Sequence, residues 1–123
     1  MSALDIHNAC PCGRTRDKGK PLTFAQCCGR YLADYDNQPA PDAESLMRSR
    51  YCAFVLRDDD YLLATWHEGT RPSRVDFETG TKWIGLQVSD HRVLDDTHAE
   101  VEFTARFRSG GKATRLHERS RFV

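Results

Sequence analysis

The sequence predicts an α+β fold: a cysteine-bearing N-terminal segment, then two helices packed on an antiparallel sheet. Three observations carry this. Residues 1–41 have few regularly spaced apolar groups and many turn formers, among them Pro11, Gly13, Pro21, Gly29, Pro39 and Pro41. Between 42 and 66 the apolar residues recur at helical spacing, and from residue 84 onward they alternate with a period of two. Helices that precede a run of strands segregate to one face of an antiparallel sheet. The chain divides accordingly into a segment 1–41 and an α+β domain 42–123.

Each element has its own signal. Residues 1–41 need something other than an apolar core to order them. Pro41-Asp42 offers a helix start, and Leu46, Met47, Tyr51, Phe54 and Val55 form one stripe, which predicts a helix over 42–57. Asp58, Asp59 and Asp60 suit the N-terminus of a second helix over 59–66, because acids complement the helix dipole. A solvated helix start explains this acidic run better than a magnesium site, since consecutive residues point in different directions. Gly69 to Ser73 reads as a turn. Ile84, Leu86 and Val88 alternate along one strand; Val101, Phe103, Ala105 and Phe107 along a second; Leu116 and Phe122 fall on a third. Ser109-Gly110-Gly111 reads as the hairpin turn between the last two. The strand pattern is still running at Val123.

Charge and composition exclude several functions. Eighteen basic residues balance eighteen acidic ones, so extended binding to duplex phosphates is not expected. No apolar run reaches the roughly 20 residues that span a bilayer, and the N-terminus lacks a signal-peptide layout. A cytoplasmic protein without membrane contact is expected. In that reducing compartment closely spaced thiols hold metal more often than they form disulfides.

Four of the five cysteines crowd into nineteen residues as Cys10-Pro11-Cys12-Gly13, a loop, and Cys27-Cys28-Gly29. Two close pairs of thiolates give the tetrahedral geometry of a structural zinc site and leave no position open for water or substrate. Cys10, Cys12, Cys27 and Cys28 are therefore the expected ligands of one structural zinc ion, whose binding energy replaces the missing core. His7 is an alternative fourth ligand, and a redox pair is the competing reading, for which CxC and adjacent spacings are less usual than CxxC. Cys52, at the polar flank of the first helix, reads as a packed thiol.

Cys-Pro-Cys-Gly, a basic loop and Cys-Cys-Gly together resemble the SEC-C motif, the zinc knuckle at the tail of the bacterial preprotein translocase motor. The loop from Arg14 to Gln26 is longer than the compact form of that motif, and Cys28 stands where the translocase has His. The resemblance continues through Leu46-Met47-Arg48-Ser49-Arg50-Tyr51-Cys52-Ala53-Phe54, Tyr61-Leu62, Thr65-Trp66-His67, Trp83-Ile84-Gly85-Leu86 and Glu118-Arg119-Ser120-Arg121-Phe122. These look like the bacterial YchJ-like family over nearly the whole chain. The resemblance implies a SEC-C knuckle joined to a fold similar to nuclear transport factor 2 (NTF2), a cystatin-like cone of curved sheet over helices. Family members usually continue with another strand. Because the translocase knuckle binds a chaperone and ribosomes, the resemblance also implies a protein partner.

Outside the cysteines, helical geometry sets Arg50 inside the apolar stripe, and alternation puts Glu118 on the face of Leu116 and Phe122. The two are expected to meet, either as a buried ion pair or as the lining of a small-molecule pocket with Trp66, His67 and Trp83 near its mouth. His67 is a candidate general base, but a histidine ending a helix is more often a cap, and no nucleophile stands beside it. His117 points away from Glu118 and Ser120, which excludes a local triad. No catalytic residue is assigned. Arg14, Arg16, Lys18 and Lys20 make the knuckle loop basic, which suits an acidic protein surface first and RNA or the ribosome second.

Overall fold

In the computed structural model, residues 8–15, 19–66, 71–73 and 81–122 are described. Among these residues three helices, α1 (Gly29–Ala33), α2 (Ala43–Leu56) and α3 (Asp59–Ala64), precede three strands, β1 (Thr81–Val93), β2 (Ala99–Ser109) and β3 (Lys112–Phe122). The strands form one antiparallel sheet in the order β1-β2-β3. The expected α+β class holds, with one more helix: α1 is too short to show a period, and it follows Cys28 directly.

Local chemistry sets the helix ends. The Asp42 carboxylate accepts from the Ser45 N–H at 2.7 Å and opens α2. Arg57 closes it at φ 58°, in the left-handed region, with its N–H bonded to the carbonyls of Ala53 and Phe54. Asp58 then caps α3 by accepting from the Tyr61 N–H at 3.1 Å, so the first acid of the run is a cap. Only two residues separate these helices, and they are locked together where Ser49 Oγ meets Tyr61 Oη at 2.7 Å in the interior.

The buried face of α2 differs from the predicted stripe. Ser45, Ser49, Tyr51, Cys52 and Ala53 are buried, whereas Leu46, Met47, Phe54 and Val55 are only partly so. α2 packs against the knuckle, α3 and the sheet at once, and small side chains occupy the sides where the first two approach. Hydrophobic periodicity marks one buried face and misses a helix covered on several.

The sheet also departs from simple alternation. Trp83 pairs with Phe107 and Gly85 with Arg106, leaving Ile84 as the extra residue of a bulge. The bulge inverts the phase: Trp83, Leu86 and Val88 pack on the core, and Ile84, expected on the face of Leu86 and Val88, is 44% exposed. A second irregularity between Val88 and Asp90 leaves Ser89 unpaired, and its hydroxyl donates to the Glu102 carbonyl. In β2, Val101, Phe103 and Ala105 are buried as expected. Gly110 and Gly111, at φ 59° and 80°, make the two-residue turn to β3. β3 is an edge strand, largely exposed, with Leu116 and Glu118 on the face of Phe103 and Ala105.

Candidate metal centre

The cysteines are positioned by a small hairpin-like fold and by α2. Bridges pair Ala9 with Thr23 and Thr15 with Pro21, and the Cys10 N–H donates to the Leu22 carbonyl at 2.9 Å. Gly13, at φ 78°, turns the chain after Cys12, and its N–H bonds back to the Cys10 carbonyl. Gly29 is required by contact: a Cβ there would lie 2.6 Å from the Phe24 carbonyl oxygen, which accepts the Gly29 N–H. The tight loop returns Cys27 and Cys28 to Cys10 and Cys12.

All five thiols converge and none is in a disulfide. The Sγ atoms of Cys10, Cys12, Cys28 and Cys52 lie within 4.8 Å of one another, all on buried residues. Cys27 stands against this group, 3.7 Å from Cys12 and 3.8 Å from Cys28. Sequence reasoning missed Cys52: it is fully buried on α2, with its sulfur 3.4 Å from that of Cys10. Its distance from the other four in sequence hid it, and the only available signal was a fifth thiol in a chain already reading as metal-binding.

The electrostatics suit a cation. Cys12 is held below the usual thiol range by hydrogen bonding first with Cys10 and then with Cys27, Cys28 and Cys52. Cys27, Cys28 and Cys52 are pushed above that range, each first through Cys10. Cys10, raised by Cys12 but lowered by Cys27, Cys28 and Cys52, also ends below the usual range, so two thiolates form readily and the other thiols meet their negative charge, a conflict that a bound cation removes. The number and softness of the donors fit a metal ion held in a closed, structural sphere.

The knuckle is clasped to α2. Arg48 donates from Nη1 to the Cys12 carbonyl at 2.9 Å and from Nε to Glu44 at 2.8 Å. Arg14 reaches Ser45 Oγ at 2.9 Å and Glu44 at 3.4 Å. Arg14, expected on a free basic loop, therefore points inward. Lys20 is exposed, while Arg16, Asp17 and Lys18, with the alternative ligand His7, lie outside the described residues.

The expected pocket residues Arg50, Trp66, Trp83 and Glu118 line one cavity of about 660 Å³ between α2 and the sheet. His67 lies outside the described residues. The predicted ion pair is absent: among the described residues no salt bridge joins Arg50 to Glu118. Arg50 donates to Thr65 Oγ1 at 2.9 Å and the Leu62 carbonyl at 3.3 Å, and its guanidinium lies 5.1 Å from the Trp66 ring centre. Glu118, on the exposed edge strand, accepts from Ser120. α3 supplies what Arg50 needs before β3 comes within reach. Burial lowers the Arg50 pKa. His117 faces away, as expected, and meets Glu102 at 2.7 Å. Among the described residues no helix is long and apolar enough to cross a membrane.

Comparison with known proteins agrees with this geometry. Residues 42–123 match the family model described as YchJ, middle NTF2-like domain. A UPF0225 protein of Polaromonas sp. (strain JS666) is 69% identical over 115 residues, covering 93% of this chain and 83% of the relative. A UPF0225 protein of Bordetella parapertussis is 57% identical over 116 residues, with 94% and 83% covered. The crystal structure of a SEC-C motif containing protein from Psychrobacter arcticus superposes with a TM-score of 0.82 at 34% identity, covering 98% of this chain and 75% of that one. The solution structure of a SEC-C motif containing protein from Rhodopseudomonas palustris gives 0.75 at 35%, with 92% and 86% covered.

Proposed function

This chain belongs to the YchJ-like family, and on that premise we propose that it binds one structural zinc ion through its N-terminal cysteines and uses the ordered knuckle as a protein-interaction module in the cytoplasm. The observation that carries the reading is the buried set of sulfurs within 4.8 Å of one another. Four thiolates match the preference of zinc, although iron also occupies such sites. The ligands read from the spacing are Cys10, Cys12, Cys27 and Cys28; a sphere filled by protein donors makes the ion a cross-link and not a reagent. Five free cysteines suit a reducing compartment. The exposed side of the knuckle, with Lys20, is the surface offered to a partner.

Metal content measured by plasma mass spectrometry, on protein purified without an affinity metal, tests this directly. About one equivalent of zinc is expected, and exhaustive chelation should lower the midpoint of thermal unfolding. A metal-free protein with an unchanged midpoint would turn the cysteines into reactive thiols and remove the reading.

A second reading is favoured by the cavity. Aromatic walls and a half-buried guanidinium, which has no carboxylate partner among the described residues, suit a small apolar carboxylate. In a thermal-shift screen of such acids, Arg50→Met should weaken any binding at least about tenfold, the effect of a lost hydrogen bond to a charged group. Equal binding by Arg50→Met would make Arg50 a structural residue only.

A further inference from the structure

We propose that the centre offers five thiols for four coordination positions: Cys10, Cys12 and Cys28 are common ligands, and Cys52 of α2 is a second donor for the position that Cys27 fills. The inference rests on the metal-binding reading above and assigns a fourth ligand that the knuckle does not contain.

The geometry places two candidate donors beside the sulfurs of Cys12 and Cys28. Cys27 adjoins two of the sulfurs, those of Cys12 and Cys28, yet it is Cys52 that joins Cys10, Cys12 and Cys28 in the group in which every sulfur lies within 4.8 Å of every other. A tetrahedron with metal–sulfur bonds near 2.3 Å has edges of about 3.8 Å. Cys12 to Cys27 at 3.7 Å and Cys27 to Cys28 at 3.8 Å fit such edges for Cys27. Cys10 to Cys52 at 3.4 Å comes within a few tenths of an ångström of one for Cys52.

The two donors differ in what holds them. Cys27 belongs to the knuckle, just before α1. Cys52 is carried by α2, which the Asp42 cap and the Ser49–Tyr61 bond keep in place. A metal on the Cys27 side closes the knuckle on itself. A metal on the Cys52 side joins the knuckle to the α+β domain. Exchange between them conserves charge and protons: the Cys52 thiol gives up its proton as its sulfur binds, and the departing Cys27 thiolate takes one up.

Cobalt(II) substitution reads the number of thiolates from the intensity of the sulfur-to-metal charge-transfer band, and competition with a chromophoric chelator reads affinity. Wild type, Cys27→Ser, Cys28→Ser, Cys52→Ser and the Cys27→Ser/Cys52→Ser double variant are compared, with Cys27→Ala alongside to exclude a serine oxygen as donor. Cys27→Ser, Cys27→Ala and Cys52→Ser should each keep the full four-thiolate band, with affinity within about tenfold of wild type. Cys28→Ser and the double variant should fall to a three-thiolate band and lose more than about a hundredfold, beyond the effect of losing an outer-shell partner. If Cys27→Ser and Cys27→Ala fall as far as Cys28→Ser while Cys52→Ser matches wild type, Cys52 is a bystander and the inference fails with the metal site intact. A wild-type protein that takes up no cobalt removes both.

Discussion

Cys12→Ser is expected to lose the bound metal and about 4 kcal/mol or more of stability, the range reached when a structural metal is lost. Cys12 is fully buried and interacts with all four other thiols, so no neighbouring donor stands in for it. The loss should not stop at the knuckle. Cys10, Cys12, Cys27 and Cys28 share one cluster with Phe24, Tyr51, Cys52, Phe103 and Ala105. Loosening the sulfurs therefore exposes the inner faces of α2 and β2 as well. Circular dichroism melting with limited proteolysis checks this: the midpoint should fall and cleavage should appear within residues 8–28. Retained metal and an unchanged midpoint would separate the cysteines from the stability of the domain.

Trp83→Ala should be nearly as damaging by a different route. Trp83 sits just before the first bulge of β1 and packs against three rings: Phe107 at 5.3 Å between centroids, and Tyr51 and Phe54 at 6.0 Å each. Two of those rings belong to α2, so one indole joins helix to sheet. Truncation of a large aromatic costs about 3–5 kcal/mol, and the lower figure applies because Trp83 is half-buried. For a chain of this size that lowers the melting midpoint by about 10 °C. Metal content should stay at wild-type level. Loss of metal together with the indole would mean that the sheet, and not the cysteines alone, holds the centre in shape.

These two sites also mark how far the sequence could be read. The Cys10–Cys12 and Cys27–Cys28 spacings point to a metal because local chain geometry brings close pairs together. The third dimension was needed for Cys52, whose place depends on how α2 docks on the knuckle. The strands of the hairpin were legible from Val101, Phe103 and Ala105 and from the paired glycines. Ile84 was not, because a bulge breaks the two-residue period without leaving a mark in composition. Arg50 was rightly placed inside the helix stripe, but its partner was not foreseen: Thr65 and a helix-end carbonyl lie nearer than a carboxylate on another strand. A charge in an apolar row announces that it must be satisfied and says nothing of by whom.

The clasp formed by Arg14, Glu44, Arg48 and the Cys12 carbonyl limits how this molecule can be taken apart and reused. A knuckle excised at residue 41 for grafting onto a foreign scaffold would leave behind the cation that steadies its turn. The remaining fragment would carry Glu44 without its Arg14 contact and a buried cysteine opened to oxidants. Portability ends where the two parts share their internal wiring, and a useful graft would have to carry α2 along.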